Sequence, residues 1–316
     1  MKLGTTTGSP AASGPWTGLV KLLSALLALL FFLSMLLAAW VPESVKMYFY
    51  GIFREIARVQ MLLRTHGWQQ LQDEHFIIRY RGDEEEARLV GETARLFYRQ
   101  ICRDFAYVPQ LHRMPRVPIV VYGSREELNA SFGWPASENA MGVYWGGVIR
   151  VLAPRVWVED GDAEAVRRTF QQAGPIAHEL THLVLDYAAR GNYPRWFTEG
   201  VAQYEEFKLT GFTLERQAGI YHQRLYPLDI MNRGFDALPD QALAYWQSLS
   251  LVQYIVAVYG EEGLHNIIKN LSRHTGFNEA LVQSLGLDEK RLEKEWHDWL
   301  TGESRRYPSM KREETI

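Results

Sequence analysis

The sequence predicts an α+β domain, a small mixed sheet with helices followed by a helical half, behind an N-terminal transmembrane helix. Three observations lead there. Residues 22–42 read LLSALLALLFFLSMLLAAWVP without a single charge. Between residues 75 and 153 short β-rich runs are interspersed with helical stretches, and from about residue 162 the pattern is helix after helix. Strands gathered early and helices gathered late give an α+β half, an α half and a cleft between them.

Composition narrows the function classes. The chain has 316 residues, 47% of them hydrophobic, enough for one large or two modest domains with a sizeable core. A formal net charge of −3 with 22% charged residues leaves no broad basic surface, which argues against nucleic acid as the partner. The single cysteine, Cys102, excludes an internal disulfide and any metal site built from several thiolates. A bound metal would therefore be held by nitrogen and oxygen.

Taken in order, residues 1–18 are rich in Gly, Ser, Thr and Pro and are expected to form a disordered tail. The apolar run within 19–42, at about 1.5 Å per residue, matches the roughly 30 Å hydrocarbon core of a bilayer. It exceeds the ~7–15 apolar residues of a secretory signal, and Ala38 and Ala39 run straight into Trp40, so an uncleaved signal anchor is expected. Lys2 and Lys21 before the span nearly balance Lys46, Arg54 and Arg58 after it. Simple anchor architecture then predicts a single-pass protein of the cell membrane with its large domain extracytoplasmic. Residues 43–67 form a juxtamembrane amphipathic helix in which Val45, Phe49, Ile52, Ile56, Val59 and Leu63 share one face. That stripe is expected to pack on the protein's own domain; a helix on the membrane surface or a short dimerising stalk fits the same spacing.

A globular domain is expected over 68–303, with a short tail over 304–316. HFIIRY (75–80) and VPIVVY (117–122) read as strands, and the acidic-started stretch 83–105 as an amphipathic helix. Ser124 followed by Glu127 is a capping box for a short helix. MGVYWGGVIRVLAP (141–154) has two β-rich halves about Gly146-Gly147, a hairpin whose edge could pair with an extended peptide. Trp145, Trp157 and Trp196 could line a cleft or serve as packing. Ile255, Val258, Leu264 and Ile268 read as core.

The chemistry concentrates in GPIAHELTHLVLDYAARGNYPRWFTEGVAQYEE (174–206). Pro175 can open a helix and Gly191 can end it. His178 and His182, four apart, then leave one face about a turn from each other, the geometry for two imidazoles to meet one ion. Glu179 stands beside the first, close enough to reach a metal-bound water without ligating the metal, as in the H-E-x-x-H pattern of zinc hydrolysis. A catalytic zinc usually takes three protein ligands. A second helix starting at Pro194 would bring Glu199 back beside the histidines, with small Gly200 and Ala202 allowing close approach to the first helix. Glu205 and Glu206 compete for the ligand role but are expected at a solvated end.

HELTH followed by WFTEGVAQYEE resembles the gluzincin metallopeptidases, and W-x-x-E-G-x-A is similar to their aminopeptidase-type branch. The closer resemblance is to the peptidase MA-like domain of bacterial, often membrane-anchored, proteins. It covers roughly residues 72–302, including GVYWGGVIRV, AYWQSLSLVQYIVAVYGEEGL and LGLDEKRLEKEWHDWL. It implies a thermolysin/gluzincin-like catalytic domain acting on peptides or proteins, with one Zn2+ per chain on His178, His182 and Glu199 and with Glu179 as general base. By resemblance to the downstream tyrosine of gluzincins, Tyr245 is the first candidate for oxyanion donor, with Tyr221 and His222 as rivals. The His182 to Glu199 separation is slightly shorter than in the large aminopeptidases. Their Gly-Ala-Met-Glu-Asn motif is absent, so an aminopeptidase is not implied. The alternatives are a non-catalytic module binding peptide or envelope material, against which an intact Glu179 argues, and a zinc hydrolase of a non-peptide bond.

Overall fold

The computed structural model describes residues 43–158, 161–213 and 225–302, and the compact unit holding the site begins at Met47. The predicted tails over 1–18 and 304–316 and the predicted span over 19–42 lie outside the described residues; no described helix is long and apolar enough to cross a membrane. The first half runs α1 (Glu43–Arg64), β1 (Gln69–Gln72), β2 (Phe76–Tyr80), α2 (Glu84–Asp104), β3 (Val117–Tyr122), α3 (Arg125–Phe132), β4 (Gly142–Trp145) and β5 (Val148–Leu152). The second is helical: α4 (Ala163–Ala173), α5 (Ile176–Ala189), α6 (Arg195–Thr210), α7 (Leu228–Gly234), α8 (Gln241–Ser272), α9 (Phe277–Leu285) and α10 (Glu289–Leu300). The mixed α+β architecture, mostly helical with one small sheet, is the one the sequence order predicts.

Local chemistry explains the boundaries. The Asp83 side chain accepts from the Glu85 N–H, and three glutamates fill the first turn of α2, where the helix dipole favours negative charge. Ser124 Oγ accepts from the Glu127 N–H at 3.2 Å to open α3. Gly146 and Gly147, at φ 58° and 79°, make the two-residue turn between β4 and β5, and two consecutive positive φ angles match the twist of an antiparallel pair. Strand β1, QQLQ, carried no apolar alternation in the sequence; it forms because its backbone pairs antiparallel with β2.

The sheet order is β1-β2-β3-β5-β4, with β2, β3 and β5 parallel and the two outer pairs antiparallel. The side-chain period of two divides its faces. Val117, Ile119 and Val121 of β3 with Ile149 and Val151 of β5 enter the main core with α2 and α5. Val120, Tyr122, Val148 and Leu152 point the other way, onto Leu128 of α3 and Met61 of α1. Helix α1 thus covers the back of the sheet.

Helix α1 packs through the face opposite to the one expected. Its apolar stripe faces outward: Val45, Phe49, Ile52, Ile56, Val59 and Leu63 are all exposed, Ile56 by 62% and Leu63 by 69%. The face turned inward carries Met47, Arg54, Ala57 and Met61. A helix predicted to precede the domain is packed into it. In the helical half, Ile255, Leu264 and Ile268 are buried as expected, and α8 is interrupted at Gly260, φ 71°.

Candidate metal centre

Helix α5 begins at Pro175 and ends where Arg190 and Gly191 both turn to positive φ. Every residue of it is buried except His178, whose side chain keeps 16% exposure. The helix is therefore a core element with one opening, and the opening lies at the motif. Helix α6 returns beside it from Pro194. The small residue Gly200 serves a different neighbour from the one expected: a Cβ there would lie 2.2 Å from the Ser248 carbonyl oxygen, so it permits the approach of α6 to α8 rather than to α5.

The two helices bring His178, His182 and Glu199 together, one nitrogen or oxygen from each lying within 4.8 Å of the others. His178 Nε2 and His182 Nε2 are 3.1 Å apart, and they stand 3.3 and 3.5 Å from the two carboxylate oxygens of Glu199. The other ring nitrogens are engaged behind them. His182 Nδ1 meets Thr198 Oγ1 at 2.7 Å, and His178 Nδ1 meets Glu206 Oε2 at 3.2 Å. An oxygen at Nδ1 fixes the proton there and leaves the Nε2 lone pair for an ion, the usual outer support of a metal-binding histidine.

The donor set fits a zinc ion: two imidazole nitrogens and one carboxylate oxygen, nearly enclosed by protein. Electrostatics agree. Burial alone would lower the His178 pKa, but the carboxylates of Glu199 and Glu206 hold it well above the ordinary histidine value. Burial alone would raise Glu199, but His182, His178 and Arg195 hold its carboxyl well below the usual range. The cluster attracts positive charge. Arg195 Nη1 also donates to Glu199 Oε1 at 2.7 Å from the half-open rim.

Glu179 is buried on the same helix, and its Oε2 accepts from the Tyr144 N–H of edge strand β4 at 2.6 Å. Gly142 makes this approach possible: a Cβ there would be 2.6 Å from Pro175 and 3.3 Å from Glu179 Cγ. Tyr245, on α8, is half-buried within electrostatic reach of Glu199, Arg195 and Glu179; burial and then the Glu199 charge push its phenol up, so it stays protonated. Tyr221 and His222, its rivals, lie outside the described residues.

One expectation, the solvated end of α6, is revised, and the tryptophans divide between packing and exposure. Glu205 and Glu206 are not a solvated end: both are buried, Glu206 on His178 and Glu205 beside Lys208, with burial pushing the Glu205 carboxyl up to about 7. Trp196 lines no cleft; it is fully buried and donates from Nε1 to Asn232 Oδ1. Trp157 packs on Phe170, leaving Trp145 exposed at the end of β4. Sequence reading also missed the supporting residues. Glu206 was findable, since seven residues from Glu199 is two helical turns and the same face.

Residues 159–302, which include α5 and α6, match the family model of the Peptidase MA superfamily. No curated protein shows a significant match to the chain. The matched span is shorter than the resemblance drawn from residues 72–302, leaving the sheet outside it. It supports a gluzincin-like peptidase family for the part of the chain that holds the His-His-Glu group.

Proposed function

We propose that the protein is a zinc metallopeptidase, anchored in the cell membrane through residues 19–42 with its catalytic domain extracytoplasmic. The observation that carries the reading is the convergence of His178, His182 and Glu199 within 4.8 Å, with Glu179 on the same helix and an oxygen behind each imidazole. A zinc ion held there would polarise the scissile carbonyl and lower the pKa of water beside it towards neutrality.

The chain's own groups supply the rest. Glu179 takes the proton of the attacking water and passes it to the leaving amine. The Tyr144 N–H, 2.6 Å from Oε2, sets the direction in which that carboxylate points. The protonated Tyr245 phenol donates to the oxygen on which negative charge develops. Among the described residues no strand lies on the outer side of β4, beside Glu179, and such an edge suits an extended peptide or protein substrate. The uncharged run over 22–42 supports the anchor, and the exposed apolar face of α1 follows it directly in the chain.

The test is hydrolysis of a peptide library by the full-length chain and by Glu179→Gln, with zinc measured in both. Glu179→Gln is expected to keep its zinc and lose about 100- to 10,000-fold in turnover. Wild-type turnover in Glu179→Gln would overturn the mechanism.

A further inference from the structure

Arg54 belongs to no part of the metal cluster, yet it is buried on the inward face of α1, with its guanidinium carbon 3.6 Å above the Tyr187 ring. Its Nη1 donates to the Asp186 carbonyl oxygen at 3.3 Å and lies 3.7 Å from Asp186 Oδ1. Asp186 is completely buried on α5, one turn beyond His182. Its second carboxylate oxygen, Oδ2, accepts from the Tyr144 hydroxyl. The same hydroxyl accepts from the Gly147 N–H at 3.1 Å, closing the hairpin turn on its own strand. At its other end Tyr144 gives its backbone N–H to Glu179. One residue of the edge strand is therefore tied to the buried carboxylate by its side chain and to the motif glutamate by its backbone.

Packing leaves the hairpin little slack. A Cβ on Gly147 would lie 2.9 Å from Arg54 Cγ, and one on Gly146 would lie 2.8 Å from the Ala57 Cβ. The Phe53 ring meets Trp145 edge-on at 5.2 Å. The turn of the β4–β5 hairpin rests directly on α1.

We propose that Arg54, Asp186 and Tyr144 form a brace through which α1 positions the Glu179 carboxylate. Glu179 acts here as the general base proposed above; Arg54 and Asp186 are positioning residues that touch neither metal nor substrate. Removing the guanidinium leaves a buried carboxylate without its cation, and the structure relaxes to hydrate or protonate it. The β4–β5 hairpin pairs with another strand on one side only, so once α1 no longer holds its turn it is the element that yields. Any shift of α1 then reaches Glu179 through Asp186 and Tyr144, so the helix that follows the apolar run tunes the site.

The test uses the full-length chain in detergent with Arg54→Met, Arg54→Lys and Tyr144→Phe. Amide exchange is read on the zinc-free protein and steady-state kinetics on the zinc-loaded one. Arg54→Met and Tyr144→Phe are expected to speed exchange across residues 141–152 by about fivefold or more, with α8 unchanged. They should lower kcat by roughly 10- to 100-fold while KM and zinc content stay within about twofold, and Arg54→Lys should recover part of the loss. In a Glu179→Gln background Arg54→Met should cost nothing further. If Arg54→Met does not fold, Tyr144→Phe, which deletes one oxygen, decides the matter. Wild-type exchange in the hairpin with wild-type kcat in Tyr144→Phe overturns the brace, and so does an undiminished loss in the double variant. Failure of the general base itself is distinct: it appears as full activity in Glu179→Gln alone.

Discussion

Helices α1 and α5 are both legible as helices in the sequence and meet opposite fates in the fold. In α5 almost the whole surface is buried, and its polar residues face inward onto one another: His178 and His182 onto Glu199, Asp186 onto Tyr144 and Arg54. In α1 the conspicuous apolar stripe is exposed, and the helix docks through Met47, Arg54, Ala57 and Met61. Periodicity identifies a face without naming its partner. A histidine pair at the right spacing does more, because its chemistry demands that a third ligand be near.

Of the changes that probe this difference between the two helices, deleting α1 has the largest expected effect. A chain beginning at residue 68 would strip the cover from Val120, Tyr122 and Val148 and leave Asp186 without Arg54. Expected is loss of the cooperative thermal transition, checked by calorimetry against a chain beginning at residue 43. A normal transition in the shorter chain would show that α1 is an attachment rather than part of the core. Within α1, Met61→Ala should cost about 2–5 kcal/mol in denaturant unfolding, towards the lower end because its cluster is small.

Asp186 tests the polar side of the same junction. Burial pushes its carboxyl up to about 6 from an ordinary value of 3.8, with Arg54 opposing the rise. A folded-state pKa above the unfolded one means that its contribution to stability is fully present below about 4 and is lost as pH rises through 6. Asp186→Asn should therefore compare better with wild type at pH 8 than at pH 4, by on the order of 2–3 kcal/mol. A stability difference that does not change with pH would contradict the assignment. The smallest effect belongs to the exposed stripe: Ile56→Ser should change the stability of the detergent-solubilised monomer by less than about 0.5 kcal/mol, and a loss above about 1 kcal/mol would mean that this face is covered.

How much was legible follows from what short-range rules can encode. The strands of HFIIRY and VPIVVY, the Gly146-Gly147 hairpin and the helix over 176–190 all declared themselves through caps, turns and period. So did the meeting of His178 and His182, since four residues on a helix fix their separation. The return of Glu199 required only a turn and a second helix start. Beyond that range the signals fade. Strand β1 has no apolar pattern because backbone pairing alone recruits it. Lys208, which pairs with Glu205 on its own helix, also reaches Asp104 and Glu261 from distant parts of the chain, and the pairing of Arg54 with Asp186 spans 132 positions, a contact that no local window contains. In the sequence Arg54 counts only among the positive charges after the apolar run, because its partner lies on α5.

Whether the His-His-Glu group holds zinc is decided by X-ray absorption at the zinc edge of the metal-loaded, full-length protein. Expected is one zinc per chain with two imidazoles and one carboxylate as its protein ligands, and a spectrum in His182→Ala that has lost an imidazole along with most of the metal. A zinc ion bound without imidazole, or a spectrum unchanged in His182→Ala, would contradict it.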